Sequence, residues 1–293
     1  LAKLGMVDIK EPFASLFTQG MVTHETYSRP QGEGLPPIFF TPDEIERTAD
    51  GATLTADGAS VDVGRVIKMS KSKKNVVDPD AILDQYGADA VRWFMLSDSP
   101  PERDLPWSEA GIEGAWRFVQ RLWRLFGETE SAGDGGEDKP LARKLHQTIV
   151  GVATDVEALG FNKAVAKLHA LANEVEKAKP SATRAEACRT LILLVAPMMP
   201  HLAEEAWAAL PESQRTTAMI ADAAWPAADP ALLVDDEVTI AIQVAGKLRD
   251  TMTMPKGSEK DVTEAAALAR PRIVELLAGV VIVVPDRLVN IVP

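Results

Sequence analysis

The chain has 293 residues, 46% of them hydrophobic, and a formal net charge of −12. That length holds two or three modules with real cores. The single cysteine, Cys188, excludes a disulfide framework and fits a reducing cytosol, and no uncharged apolar run is long enough to span a bilayer. The longest candidate, LILLVAPMMP at 191–200, is short and contains prolines. No charged-then-apolar leader opens the chain, and Leu1 begins in mid-pattern, as expected of a piece of something longer. An acidic total argues only weakly against a nucleic-acid partner, because clustering of positive charge matters more than its sum.

Residues 1–28 keep a helical apolar spacing up to Gly20 and then a short Met21-Val22 run. From 30 to 67, prolines and glycines give way to alternating apolar positions around the turn signals Asp50-Gly51 and Asp57-Gly58, which predicts a small β-rich insert. The insert leads into KMSKSKKN at 68–75. With Arg65 just upstream, the stretch 65–77 carries Arg65, Lys68, Lys71, Lys73 and Lys74 and no acid.

Most lysine runs are solvated surface. Here small polar residues separate the lysines, so backbone can approach a ligand and the Ser70 and Ser72 hydroxyls can donate to oxygens. Asp78-Pro79 then reads as an N-cap and first-turn pair opening a helix over 79–86, whose start adds dipoles suited to the same anion. Met69 is the one aliphatic anchor, predicting a loop pinned at one point and otherwise mobile. Such a loop suits stabilising the charge that builds on a triphosphate as its α–β bond breaks. That chemistry is nucleotidyl transfer, with magnesium as the expected companion.

The helix 79–86 stops at Gly87, and a second, 88–96, ends before Ser99-Pro100-Pro101. Residues 100–228 read as all-helical. Ser108 caps a long helix with Trp116, Val119, Trp123 and Phe126 on one side and Arg117, Arg121 and Arg124 on another. The tryptophans are expected in the core, and the arginines either track RNA phosphates or form a solvated face pairing with Glu113 and Glu128. After the linker 131–140 come helices at 140–159, at 162–179 opened by Asn162, and at 182–199, then a short one from His201, together predicting an antiparallel bundle. Trp107 and Trp225 are expected to cover its ends, and Cys188 to be a buried small hydrophobe.

From 236 the apolar period becomes two. A hairpin around Ala245-Gly246, helical stretches at 258–269 and 271–278, and strands flanking Pro285-Asp286 predict a compact α+β module. Lys247 and Arg249 alternate outward on one strand face and, with Arg287, make either a small RNA-facing patch or plain surface. His24, His146, His169 and His201 stand alone, so no metal site is predicted.

KMSKS is the signature of class I aminoacyl-tRNA synthetases. TQGMV (18–22), KMSKSKKNVVDPDAILDQYGADAVRWFML (68–96), GAWRFVQRLWRL (114–125), LGFNKAVAKLHALANEV (159–175), APMMPHLAEEAW (196–207), IQVAGKLR (242–249) and VVPDRLVNIVP (283–293) together resemble bacterial-type leucyl-tRNA synthetases, in order, along essentially the whole chain. The resemblance implies the end of a catalytic nucleotide-binding fold (1–29), the insert (30–67), the loop with a stem-contact region (68–99), an anticodon-binding-type bundle (100–228) and a tRNA-elbow module (235–293). It makes Lys68, Met69, Ser70, Lys71 and Ser72 the ATP-binding loop, with Lys68 and Lys71 catalytic and Lys71 on the phosphates. It further implies ATP, Mg2+, leucine and tRNA-Leu as partners, a monomer, a cytoplasmic location and no membrane.

Three departures temper this. No His-x-Gly-His string occurs, so half of the active site and the leucine pocket are absent, and the chain alone is expected to be inactive and to bind no cofactor tightly. Ala245 replaces the family's usual Asn, and the segment LLAGVVIVV is shortened, which weakens the expected elbow contact. A free-standing tRNA-binding module is the alternative.

Overall fold

Gly20 lies against the backbone of Arg103, where a side-chain carbon would stand 2.0 Å from the carbonyl oxygen, and its N–H donates to Pro101 O at 2.8 Å. This close approach sets the direction of the strand that follows. The computed structural model describes residues 1–9, 11–49, 51–127, 136–234, 237–274 and 280–292. It divides into two compact units, Leu1–Ala227 and Ala228–Pro293.

The first unit begins with a stretch that, among its described residues, is irregular apart from a 3-10 turn at Ala2–Leu4, where a helix was expected up to Gly20. An amphipathic helix draws most of its stability from packing, and these side chains have no apolar surface of this unit to meet: Leu16 is 89% exposed. Strands β1 (Val22–His24) and β2 (Tyr27–Arg29) follow, then β3 (Ile38–Phe40), β4 (Ile45–Thr48), β5 (Gly51–Leu54), β6 (Ser60–Val63) and β7 (Ile67–Lys68). Next come helices α1 (Pro79–Tyr86) and α2 (Ala88–Ser97), the short strand β8 (Leu105–Pro106) and helix α3 (Glu109–Gly127). Helices α4 (Lys139–Glu157), α5 (Phe161–Lys177), α6 (Ala182–Val195) and α7 (Pro200–Ala209) complete the bundle.

Two small sheets frame the lysine loop. β1 lies between antiparallel β7 and parallel β8. The insert forms a five-stranded sheet in the order β3-β2-β6-β5-β4 around a core of Tyr27, Ala52, Leu54 and Val61. Tyr27–Arg29, upstream of the expected start at 30, belongs to that sheet.

In the bundle, Trp93 of α2 is the hub, 1% exposed and stacked on Phe118 of α3 at 5.1 Å between ring centroids. α2 also closes two other helices. Asp89 Oδ2 accepts from the Leu202 N–H and Oδ1 from the His201 ring and N–H, capping the start of α7 from outside it. One turn along, Arg92 donates to the carbonyls of Pro197 and Met198 after α6. One face of α2 thus holds both the segment leaving α6 and the start of α7. Ser181 caps α6, Asp138 caps α4, and Cys188 is fully buried. Gly160, one residue before Phe161, precedes α5; Asn162 sits within its first turn.

Trp116 and Trp123 are not core: they are 37% and 48% exposed. The buried stripe of α3 is Ile112, Ala115, Phe118, Leu122, Leu125 and Phe126. Trp107 packs edge-on against Phe94, whereas Trp225 is 40% exposed over a shallow cleft beside Pro197 and Pro200.

The second unit contains β9 (Glu237–Val244), β10 (Lys247–Pro255), α8 (Lys260–Leu268), α9 (Pro271–Val274), β11 (Val280–Val284) and β12 (Leu288–Val292). Its sheet runs β10-β9-β12-β11, with β9 and β12 parallel at the centre. Ile240, Ile242, Met252, Met254, Val289 and Ile291 meet Ala267 and Ile273 of the helices in one core. Asp50 of the first turn signal, 131–135 of the linker and 276–279 of the shortened segment lie outside the described residues.

Candidate nucleotide-phosphate loop

β1 and β7 build the base of the lysine loop. Thr23 pairs with Lys68 and His24 with Ile67, and the Met69 N–H donates to Val22 O at 3.2 Å. The chain then turns through a 3-10 segment, Lys71–Lys73, and leaves through Lys74 at φ 52°. Lys68, Lys71 and Ser72 are exposed, and Met69 and Ser70 half-buried. The Ser70 and Ser72 hydroxyls lie 3.3 Å apart. Lys68 and Lys71 make no ion pair among the described residues.

Lys73 faces the insert. Lys73 Nζ stands 4.3 Å from the centroid of the Phe39 ring, a cation–π contact from β3. Thr41 donates to Glu44 from its N–H at 2.8 Å and its hydroxyl at 2.9 Å, which holds that carboxyl below the usual carboxylate range, and Lys74 adds to the effect. Of the loop's lysines, Lys73 is engaged by the insert, while Lys68, Lys71 and Lys74 are exposed and make no ion pair among the described residues.

Met69 is not the only anchor. Asn75, 0% exposed, accepts from Ser70 N–H at 2.9 Å and shares the two hydrogens of its amide nitrogen among His24 O, Ile67 O and Lys68 O at 3.1, 3.3 and 3.4 Å. Sequence reading passed over it; the only signal was an amide standing between a lysine run and a capped helix. The helix start expected to assist the anion is already taken. Asp78 caps α1 by accepting from Asp80 N–H, and Asp80 follows in the first turn, so two carboxylates stand there.

The other basic candidates are dispersed. Arg117 is exposed and pairs with Glu113 one turn before it at 3.5 Å. Arg121 instead ties α3 to α5, donating to Asn173 and Glu176 at 2.7 Å each. Arg124 is exposed, and its expected partner Glu128 lies outside the described residues. In the second unit a bulge sits between Leu248 and Asp250, leaving Arg249 as the extra residue. The simple alternation of Lys247 and Arg249 therefore fails, and Leu248, in phase with Met252 and Met254 by sequence, is 61% exposed. Arg287 is exposed at the turn entering β12.

Residues 58–108 match a family model of class I tRNA synthetases (I, L, M and V), and residues 138–264 match the anticodon-binding domain of tRNA ligases. Curated leucine--tRNA ligases from Sphingopyxis alaskensis and Zymomonas mobilis are 86% and 57% identical over 100% of this chain. The chain belongs to the leucyl-tRNA synthetase family. It spans about a third of those relatives, 35% and 34% of their lengths. A solved leucyl-tRNA synthetase, from a ternary complex of Agrobacterium radiobacter K84 agnB2 LeuRS with tRNA and LeuAMS, aligns with 99% of this chain at a TM-score of 0.65 and 27% identity. The aligned part is 34% of that synthetase.

Proposed function

We propose that the chain is the C-terminal third of a monomeric leucine--tRNA ligase, supplying the loop that binds the ATP phosphates and the domains that hold tRNA-Leu. The observation that carries the reading is the open pair Lys68 and Lys71, with two serine hydroxyls between and beside them, on a loop where Lys73 is drawn to the insert. In the whole enzyme, the leucine carboxylate attacks the α-phosphorus of ATP and pyrophosphate departs. Lys71 neutralises the charge that grows on the departing oxygens, which is stabilisation delivered where charge develops. The leucyl group then passes to tRNA.

Magnesium fits this scheme only as an ion carried by the triphosphate. Among the described residues no group of three or more His, Cys, Asp or Glu stands ready to hold a metal, so no step is assigned to the ion. The His-x-Gly-His half of the site and the leucine pocket lie in the rest of the enzyme, and the chain alone does not charge tRNA. In the full-length enzyme, Lys71→Ala is expected to slow leucine-dependent ATP–pyrophosphate exchange by about 100-fold or more, the scale of losing one preorganised charge contact, while tRNA-Leu affinity stays within about twofold. Exchange at the wild-type rate overturns the role.

A further inference from the structure

We infer that Asn75 is a positioning residue for adenylate formation, setting the conformation from which Lys68 and Lys71 reach the phosphates. The inference rests on the phosphate-loop reading above. It starts from burial: Asn75 is 0% exposed in a segment whose other polar side chains face solvent or the insert. A buried amide is retained only where its hydrogen bonds are met. Here the chemistry of the partners dictates its orientation, since Ser70 N–H requires an acceptor and three carbonyls require a donor.

Those partners are the ones that matter for the lysines. The carbonyl of Lys68 is one of them, which ties the residue bearing the first open lysine to the side chain of Asn75. The Ser70 N–H is another, immediately before Lys71. The carbonyls of His24 and Ile67, a directly paired couple on β1 and β7, fix the same side chain to the sheet. One amide therefore connects the sheet, the strand end and the turn, and the short 3-10 segment carrying Lys71 is suspended from it. Without Asn75, four backbone groups turn to water, and the open lysines keep their charge but lose their place. Displacement of a reacting or stabilising group by about 1 Å is enough to cost on the order of 100-fold in rate.

The test compares Asn75→Ala, Asn75→Asp and Lys71→Ala in the full-length enzyme, reading leucine-dependent ATP–pyrophosphate exchange and tRNA-Leu binding. Asn75→Ala is expected to lower the exchange kcat by tenfold or more on the same geometric ground, with the KM for leucine and the affinity for tRNA-Leu within about twofold. Asn75→Asp keeps the shape and the acceptor but turns three attractive contacts into repulsive ones, and is expected to be at least as slow. Trypsin is expected to cut after Lys71, Lys73 and Lys74 faster in both variants. Asn75 variants that exchange normally while Lys71→Ala is slow overturn this inference alone. A Lys71→Ala enzyme that exchanges normally overturns the phosphate-loop reading beneath it. Loss of tRNA binding in parallel with exchange, in both Asn75 variants, reduces Asn75 to a folding role and overturns the inference as well.

Discussion

Ala245 and Leu159 hold backbone angles that most side chains avoid, at φ 51° and φ 58°. Ala245 opens the β9–β10 turn and Gly246 follows at φ 76°, so both central residues of the hairpin sit in the left-handed region. Any side-chain carbon crowds the following carbonyl there, and asparagine offsets the cost by hydrogen-bonding locally through its amide, which alanine cannot do. Ala245→Asn is expected to stabilise the hairpin by roughly 0.5–1 kcal/mol, read as slower hydrogen exchange at the amides of β9 and β10. Unchanged protection would sink the argument. This strain was legible in the sequence, since a two-residue turn between alternating runs fixes the geometry its residues must adopt. The position of Leu248 was not. The bulge at Arg249 shifts the register by one, and a one-residue shift turns a side chain to the other face.

At the scale of single elements, α3 shows where a helical period is ambiguous. Ile112, Phe118, Leu122 and Leu125 form one stripe, and Trp116, Val119 and Trp123 another beside it. Periodicity reports that both exist, and only the neighbours decide which is buried. Packing against α2 chose the first, and the wider tryptophan stripe stayed at the surface. Asn75 was hidden for a different reason: its partners are backbone groups up to 51 residues away, which no local pattern encodes.

α5 carries a consequence for pH. His169 lies against Phe118 and Trp93 and accepts a hydrogen bond from Trp93 Nε1 at 3.4 Å. Burial, with Arg121 nearby, pushes its pKa below 6.5. The folded bundle thus favours neutral His169, while the unfolded chain binds a proton there more readily. Stability is full above about pH 6.5, the unfolded value, and falls as pH drops through it toward the folded one, by at most about 1.4 kcal/mol per pH unit. His169→Gln keeps an acceptor for Trp93 and removes the titration. Urea midpoints between pH 8 and pH 5 are expected to fall less in that variant than in wild type; parallel curves would refute the linkage.

For the whole molecule, the proposed tRNA role raises the question of how a chain of net charge −12 would hold a polyanion. The total repels RNA, so any attraction has to come from cations that are exposed and not already spent on structure. By that criterion the three arginines of α3 separate. Arg121 is engaged by Asn173 and Glu176 and belongs to the join between α3 and α5. Among the described residues, Arg117 is engaged by an exposed pair with Glu113, worth a fraction of a kcal/mol and readily exchanged for a phosphate. Arg124 is exposed beside it along the helix. If the α3 face meets tRNA-Leu, Arg117→Ala and Arg124→Ala lower affinity equally across tRNA sequences. Each also flattens the dependence of log K on log salt by about one. Arg121→Ala leaves the salt slope alone and instead costs the bundle up to about 1 kcal/mol, the scale of a partly exposed ion pair. A salt series on full-length enzyme with each variant separates the two kinds of arginine. Unchanged slopes in both Arg117→Ala and Arg124→Ala would show that α3 points away from the RNA, and would leave Lys247, Arg249 and Arg287 as the cations to test next.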